Sequence, residues 1–588
     1  MRFLGNVLAT IIGLFIFFMF FFFGLLFIAA IATAGGKSDA VSVKRNSVIE
    51  LDLSDVTNDY AGKFNYKDID YSESYHDGLS DIIAAIKAAK TDSDIKGISI
   101  LNDESSLGMA QSKALRDALE DFKTSGKFVY AYANTYSQKE YYLNSVADQI
   151  YLNPVGEMDF KGLSSEVMFV KDLQDKSGIK LEVIRHGKYK SAAEPFLQST
   201  MSDANREQIT SLLNSVWNSV AADISKSRNI SVERVNEIAN GLLARTPEMA
   251  FREKLVDKIA YEDVYHFDIR KLLKVDNDKD YNIVKISAYA ENVATTADNS
   301  GNDKIAIIYA QGEITSGEGG VNEIGEGSMR RSLQEARKDK NVKAIVLRID
   351  SPGGNALTSD LIWREVELTK KVKPVVVSMG NLAASGGYYI ACNADKIFAE
   401  GNTITGSIGV FGLLPNFTQL STRIGINTER VSTHQNAGGY SPFKPLDENY
   451  RKVAQESVER VYNTFIDRVA SGRKMTIANV DSIAQGRVWS GSEALKIGLV
   501  DEIGGMDDAI AYAAKSVKLK SYRTENFPEY EKDFRDFLGN LGVPFVKSKG
   551  SIIEDEIGVE NYKIVNRIKK VTSRKGIQAT LPFEIDIR

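Results

Sequence analysis

The 588-residue sequence has one cysteine, Cys392, and four histidines, His76, His186, His266 and His434. A lone cysteine excludes an internal disulfide and any cysteine-rich metal centre, and reads as a small buried apolar residue. The histidines show no metal-ligand spacing such as H-x-x-x-H, so neither a metal nor a cofactor is expected. A Ser-His-Asp hydrolase is left with few candidate bases. Charge bias is also missing. The 73 basic and 78 acidic residues give a net charge of −5. The basic residues are scattered rather than gathered into a stripe, which argues against a nucleic-acid partner. What remains, 43% apolar and 26% charged residues, is ordinary for folded protein, and the length implies several domains.

Charge is absent altogether from Val7 to Ala34. As a helix rising 1.5 Å per residue, this run exceeds the roughly 30 Å hydrocarbon core of a bilayer. It is also longer than the roughly 7 to 15 apolar residues of a cleaved signal peptide. Ala-Thr-Ala at 32–34 would pass as a cleavage pattern, yet residues 1–36 read as a retained transmembrane anchor. Arg2 precedes the span, and Lys37, Lys44 and Arg45 follow it. A literal count of positive charges favours the C-terminal flank inside, but so small a bias before a large domain does not fix the side.

Beyond the anchor the chain is written twice, at a constant offset of 247 residues over a long stretch. IKGISIL (95–101) lies over VKAIVLR (342–348), YYLNSVADQI (141–150) over YYIACNADKI (388–397), and KSGIK (176–180) over RIGIN (423–427). IANG (238–241) and IAQG (483–486) match at a slightly smaller offset. Each copy alternates short β-rich runs with helical patterns, which predicts βαβ crossovers and a largely parallel sheet. The first unit spans 46–287 and the second 304–515, with Ala288–Asp303 as a polar connector and 516–588 as a charged tail without a repeat partner.

Chemistry belongs where the copies differ. The second reads IDSPGG (349–354), MGNLAASGGYYIA (379–391) and TGSIGVFG (405–412), whereas the same columns of the first read NDESSL, YANTYSQKEYYLN and MDFKGLSS. Gln138 stands in the column of Ser385. A nucleophilic serine needs an exposed hydroxyl, a nearby base and donors for an oxyanion. Ser385 precedes Gly386 and Gly387 at a strand-to-helix junction, where backbone N–H groups are free. Gly353 and Gly354, at the C-terminal end of a parallel strand, can supply another donor, on the sheet edge where α/β proteins bind ligands. Ser385 as a mere helix cap is the competing reading.

These motifs, together with GKYKSAAEPF in the first copy, resemble the signal peptide peptidase family of clan SK in its long tandem form, over about residues 47–515. The resemblance implies an α/β fold: a tandem duplication of a Clp-protease/crotonase-like ββα-superhelix unit behind a transmembrane helix. It also implies a Ser–Lys dyad without histidine. Mapped onto this chain, the nucleophile is Ser385, the base is Lys190, and Ser407 hydrogen-bonds the lysine. Lys190 plus 247 is Ala437, so the second copy holds the serine without the lysine and the first holds the lysine without the serine. Lys188 is the rival base two residues away. Burial between the units would lower the lysine pKa and let it act as a base. The family further implies cleavage of remnant signal peptides and other short hydrophobic peptides. It implies a homotetramer of eight units, with the body on the extracytoplasmic face of the bacterial inner membrane. Two other functions use the same elements: a crotonase-like acyl-CoA enzyme, which needs the oxyanion donors but no nucleophile, and a catalytically dead scaffold. A histidine-based hydrolase using His186 or His434 is the mechanistic rival.

Overall fold

The computed structural model describes residues 2–35, 43–66, 72–102, 105–276, 279–296, 302–532 and 577–580. Its first helix, Arg2–Gly35, carries no acidic residue in its first turn and no basic residue in its last. Among the described residues it is the one helix long and apolar enough to cross a membrane, over Gly5–Gly24.

The first unit is built on a six-stranded sheet in the order Lys258–Ile259, Gln149–Met158, Phe128–Tyr136, Ile95–Leu101, Ser47–Asp52 and Ile283–Lys285. Every pairing in it is parallel. Parallel strands need crossover connections, and the alternating strand and helix pattern supplies them. Helix Leu79–Thr91 buries Leu79, Ile82, Ala85, Ile86 and Ala89, the i, i+3, i+4, i+7 stripe of an amphipathic helix.

The second unit repeats this plan in an eight-stranded sheet. Its central strands, Lys304–Gln311, Val342–Ser351 and Val375–Ala384, are buried along most of their length and are correspondingly rich in apolar residues. Duplication is visible down to single contacts. Helices Asp203–Arg228 and Glu448–Arg473 both run 26 residues and end on a left-handed residue, Asn229 or Lys474. Each terminal arginine grips an aspartate: Arg228 to Asp257 at 2.7 Å and Arg473 to Asp501 at 2.6 Å. The buried Tyr141 and Tyr388 hydroxyls donate to the Leu255 and Leu499 carbonyls, both at 2.9 Å.

The two units are sewn together. Arg348 of the second donates to Asp59 of the first at 2.6 Å in a fully buried pair, and to Ser378 Oγ at 2.8 Å and the Met379 carbonyl at 2.9 Å. Gln111 of the first unit donates to Asp59 at 3.1 Å and to Asp350 at 3.3 Å. Burial, with the charge of Asp59 beside it, pushes the Asp350 carboxyl up to about 7. Such a buried network adds little net stability, but losing one partner strands the others without solvent.

Two boundaries differ from those expected. The connector is not wholly a linker: helix Ile286–Thr296 packs on the first unit, burying Tyr289 and Ala290. Its Tyr289 hydroxyl donates to Asp92 at 2.9 Å. Nor are the residues after 515 simply a tail. Arg523–Phe527 pairs in parallel with Lys304–Gln311, and Glu529–Lys532 pairs with Lys63–Tyr66 of the first unit. These strands have five and four residues, too few to show a period in sequence. A third sheet of seven strands draws on both units and on Gln578–Thr580, and takes in Gly353–Asn355 of the second unit's SPGG turn.

Candidate active site

Strand Val375–Ala384 ends at Ser385, and helix Gly386–Ala391 begins immediately after it. Ser385 itself takes φ +54° and ψ −112°, outside the comfortable regions for a residue with a Cβ. Such strain, worth about 1–3 kcal/mol, persists only where the surroundings fix it, and it marks functional positions. Here the Ser385 N–H donates to the Gly406 carbonyl at 2.8 Å, while its own carbonyl accepts the Tyr389 N–H at 2.8 Å.

Sheet register brings the second serine alongside. Ala384 pairs with Gly406, so the residues that follow, Ser385 and Ser407, leave adjacent strands side by side. Ser407 also has a positive φ, +49°, and its N–H donates to the Arg487 carbonyl at 2.7 Å.

Lys190 enters from the first unit. The loop carrying it is docked on the second by the Tyr189 N–H, which donates to the Gln485 carbonyl at 2.8 Å. Gly486, at φ +79°, lets the two backbones meet, since a Cβ there would lie 2.6 Å from the Lys190 Cβ and backbone nitrogen. Lys190 is fully buried, with its Nζ 2.9 Å from Ser385 Oγ, 3.0 Å from Ser407 Oγ and 3.1 Å from the Ser407 carbonyl. Burial holds its pKa well below the usual lysine value, and among the described residues no acidic group offsets that effect. A neutral amine has two N–H donors and one lone pair. The Ser407 carbonyl can only accept, and the Ser407 hydroxyl oxygen takes the second N–H. The lone pair is then left for the Ser385 O–H.

The glycine runs face one another across this point. Gly353 adopts φ +94°, and a Cβ on it would stand 2.7 Å from the Gly386 nitrogen. A Cβ on Gly386 would stand 3.1 Å from the Gly354 nitrogen. The Gly354 and Gly386 nitrogens thus both lie where the two glycine runs meet, beside Ser385. Asp350 steadies the approach, accepting the Leu382 N–H at 2.8 Å.

The other candidates lie apart. Lys188 is exposed, with its Nζ 5.2 Å from the centre of the Tyr189 ring. His186 stacks on Tyr462 at 3.9 Å, and exposed His434 lies 3.0 Å from Thr433 Oγ1. At the Ser385 column of the first unit, the buried Gln138 side chain is tied to Gly162, accepting its N–H at 2.7 Å and donating to its carbonyl at 2.9 Å. Ala437 lies in an exposed turn. Two features of the site were not read from sequence: the packing role of Gly486, and the strand Gln578–Thr580 lying against Gly353–Asn355. The match of IAQG to IANG covers Gly486 only as a repeated letter. Its counterpart Gly241, however, has φ −92°, so the shared letter concealed a different backbone.

Peptidase family S49 matches the chain twice, over residues 121–276 and 367–520. Protease 4 of Haemophilus influenzae is 37% identical over 447 residues, covering 74% of this chain and 72% of the relative. The chloroplastic serine protease SPPA of Arabidopsis thaliana is 31% identical over 509 residues, covering 84% of this chain and 72% of that one. Among solved structures, a ClpP1 mutant from Listeria monocytogenes aligns with 35% of this chain and 94% of its own, at 17% identity and a TM-score of 0.24.

Proposed function

Because this chain belongs to Peptidase family S49, and is a protease, we propose that Ser385 is its nucleophile and Lys190 its general base. The observation that carries the reading is the buried Lys190 amine 2.9 Å from Ser385 Oγ, with no carboxylate among the described residues to keep it charged. Lys190 takes the serine proton as Oγ attacks a peptide carbonyl and returns it to the leaving amine. Gly354 and Gly386 donate to the oxyanion, and Ser407 holds the amine in line. No histidine is used. An acyl-CoA enzyme of the same architecture would need the donors but not this pair. Hydrolysis of short apolar peptides by the purified chain, lost in Ser385→Ala, is the direct test. The substrates we infer are remnant signal peptides and other short hydrophobic segments. The first helix anchors the chain in the bacterial inner membrane, with the body outside the cytoplasm.

Positioning is testable separately. Gly486→Ala should lower kcat/KM by about 10²-fold, because the added methyl displaces the lysine-bearing loop and a misplacement of about 1 Å has that effect. Gly241→Ala, at the equivalent place in the first unit, should leave turnover intact. Steady-state kinetics of the two variants checks this, and equal effects would remove the role given to Gly486.

Assembly follows from the repeat. Within the chain, Lys180–His186 of the first unit pairs antiparallel with Val410–Asn416 of the second. The 247-residue offset maps these strands onto 427–433 and 163–169, which have no strand partner among the described residues. Both display exposed apolar side chains, Val431 and Met168. Pairing 427–433 of one chain with 163–169 of the next is head-to-tail, and it terminates only by closing a ring. The ring proposed is a homotetramer. Light scattering of the full chain in detergent should give the mass of four chains, and Val431→Asp should break the assembly. A monomeric wild type with full activity would dispose of the ring.

A further inference from the structure

Lys190 stands on a loop, and a loop places a side chain only as well as its own backbone is held. Both neighbours of Lys190 are held by one residue of the first unit, Gln208, on helix Asp203–Arg228. Gln208 Nε2 donates to Ser191 Oγ at 3.0 Å and to the Tyr189 carbonyl at 3.2 Å. Its Oε1 accepts the Val488 N–H of the second unit at 3.3 Å. Val488 pairs with Gly406, the residue before Ser407, and the Arg487 carbonyl accepts the Ser407 N–H. One fully buried amide therefore spans the loop that presents the amine and the strand that sets the serine beside it.

The direction of that amide is dictated from behind. The buried Glu194 carboxylate can only accept, and it takes the Ser202 N–H at 2.9 Å and Asn205 Nδ2 at 2.6 Å. Asn205 must then turn its Oδ1 away from the carboxylate, where it accepts from Gln208 Nε2 at 3.0 Å. With Nε2 committed to Asn205 and the lysine loop, Gln208 has its carbonyl left for Val488. A reversed amide would set donor against donor at Val488 and acceptor against acceptor at Tyr189. Buried mismatches of that kind are costly, so the chain from Glu194 to Val488 has one sense.

The arrangement belongs to the lysine-bearing copy. Gln208, Ser211 and Ser215 lie on one face of their helix, and all three meet the second unit: Ser211 Oγ donates to Glu493 at 2.6 Å, and Ser215 Oγ lies 2.7 Å from Ser490 Oγ. Aligned on the N-caps Ser202 and Asp447, the second unit's helix carries Val453, Glu456 and Arg460 instead. Those three are exposed. In the column of Glu194 the second copy has Ser441.

We propose that Gln208 is a positioning residue for the reaction, setting the Lys190 amine in line with Ser385 by fixing the lysine loop against the strand paired with Gly406. The proposal rests on the reading of Lys190 as general base. Gln208 touches neither reacting atom, so its loss should slow the proton transfer without weakening substrate binding.

Steady-state peptide hydrolysis and the rate of inactivation by a serine-directed phosphonate, measured on the purified full chain, test this. Gln208→Met keeps the length of the side chain and removes both donor and acceptor. It should lower kcat by about 10²-fold with KM unchanged, the effect of a misplacement of about 1 Å, and slow the phosphonate by the same factor. Ser215→Ala, which cuts the same seam away from the lysine loop, should behave as wild type in both measurements. Equal losses in the two variants, or a loss confined to KM, would make the helix a general seam and overturn the proposal. If Gln208→Met does not fold, as judged by a thermal melt, Gln208→Asn replaces it, its amide one methylene too short to reach both loop and strand. Wild-type turnover in a folded Gln208→Asn would overturn the proposal, and so would failure of both variants to fold, which would make Gln208 a folding residue. Lys190→Met separates the two readings. Full turnover in Gln208→Met beside an inactive Lys190→Met removes only the role of Gln208, whereas full turnover in Lys190→Met removes the base and the positioning role with it.

Discussion

Ser385→Ala should abolish peptide hydrolysis, lowering kcat by about 10⁴- to 10⁶-fold, the range seen when a serine nucleophile is removed. At the lower end this is about 5.5 kcal/mol of lost transition-state stabilisation. The substitution removes one hydroxyl and leaves the strand-to-helix junction otherwise unchanged, because the backbone bonds to Gly406 and Tyr389 do not involve the side chain. Folding stability should therefore move by no more than about 1 kcal/mol. Circular dichroism and a thermal melt would establish that the inactive protein is native. Wild-type turnover in such a native variant would rule out Ser385 as nucleophile and return the acyl-CoA reading, which needs no serine, to consideration. A serine-directed phosphonate should label wild type and leave the variant unlabelled, which separates loss of the nucleophile from loss of substrate binding.

How far the site was legible depended on the range of each signal. Duplication could be read because the offset holds at 247 residues over long stretches, and Arg228–Asp257 and Arg473–Asp501 show it reproduced contact by contact. The serine stood out because ASGG and SPGG exist in one copy only, and a glycine pair flanking a serine has a physical purpose beside an oxyanion. Lys190 was harder. It lies 195 residues from Ser385, and the gap at Ala437 is only negative evidence. Without the family resemblance, nothing in GKYKS separates Lys190 from Lys188, although one is buried and the other exposed. Gln578–Thr580 could not be read at all. A three-residue strand has no period, and the slot that holds it is formed by two segments distant in sequence.

Lys190→Met should abolish activity to a similar extent while making the protein more stable, and the two effects share one cause. Methionine keeps most of the volume and removes the amine, so the Ser385 proton has no acceptor; loss of the base should lower kcat by about 10⁴-fold or more. Stability moves the other way because the lysine pays a continuing penalty in the fold: buried, it is held well below the usual lysine pKa by desolvation alone. The unfolded lysine, with its ordinary pKa of about 10.4, binds a proton that the folded one releases. Between the depressed folded pKa and that value, the unfolded state holds more protons, so wild-type stability rises with pH through this window. It is lowest below the folded pKa, where the charged ammonium is buried. Lys190→Met lacks the titration. Its advantage in melting temperature over wild type should therefore be larger at acidic than at alkaline pH, and should shrink as pH rises toward the unfolded lysine pKa. In wild type, kcat/KM should fall on the acid side with a slope of one proton, as Lys190 becomes protonated and loses the lone pair directed at Ser385. Replacing His186 or His434 by alanine should not move that limb. An activity profile unchanged down to about pH 4 would contradict a lysine base, as would retention of activity in Lys190→Met. A melting-temperature difference independent of pH would show that the buried amine does not titrate on folding. Both measurements use the same two proteins, and the acid limb of activity and the slope of the stability difference must report the same group.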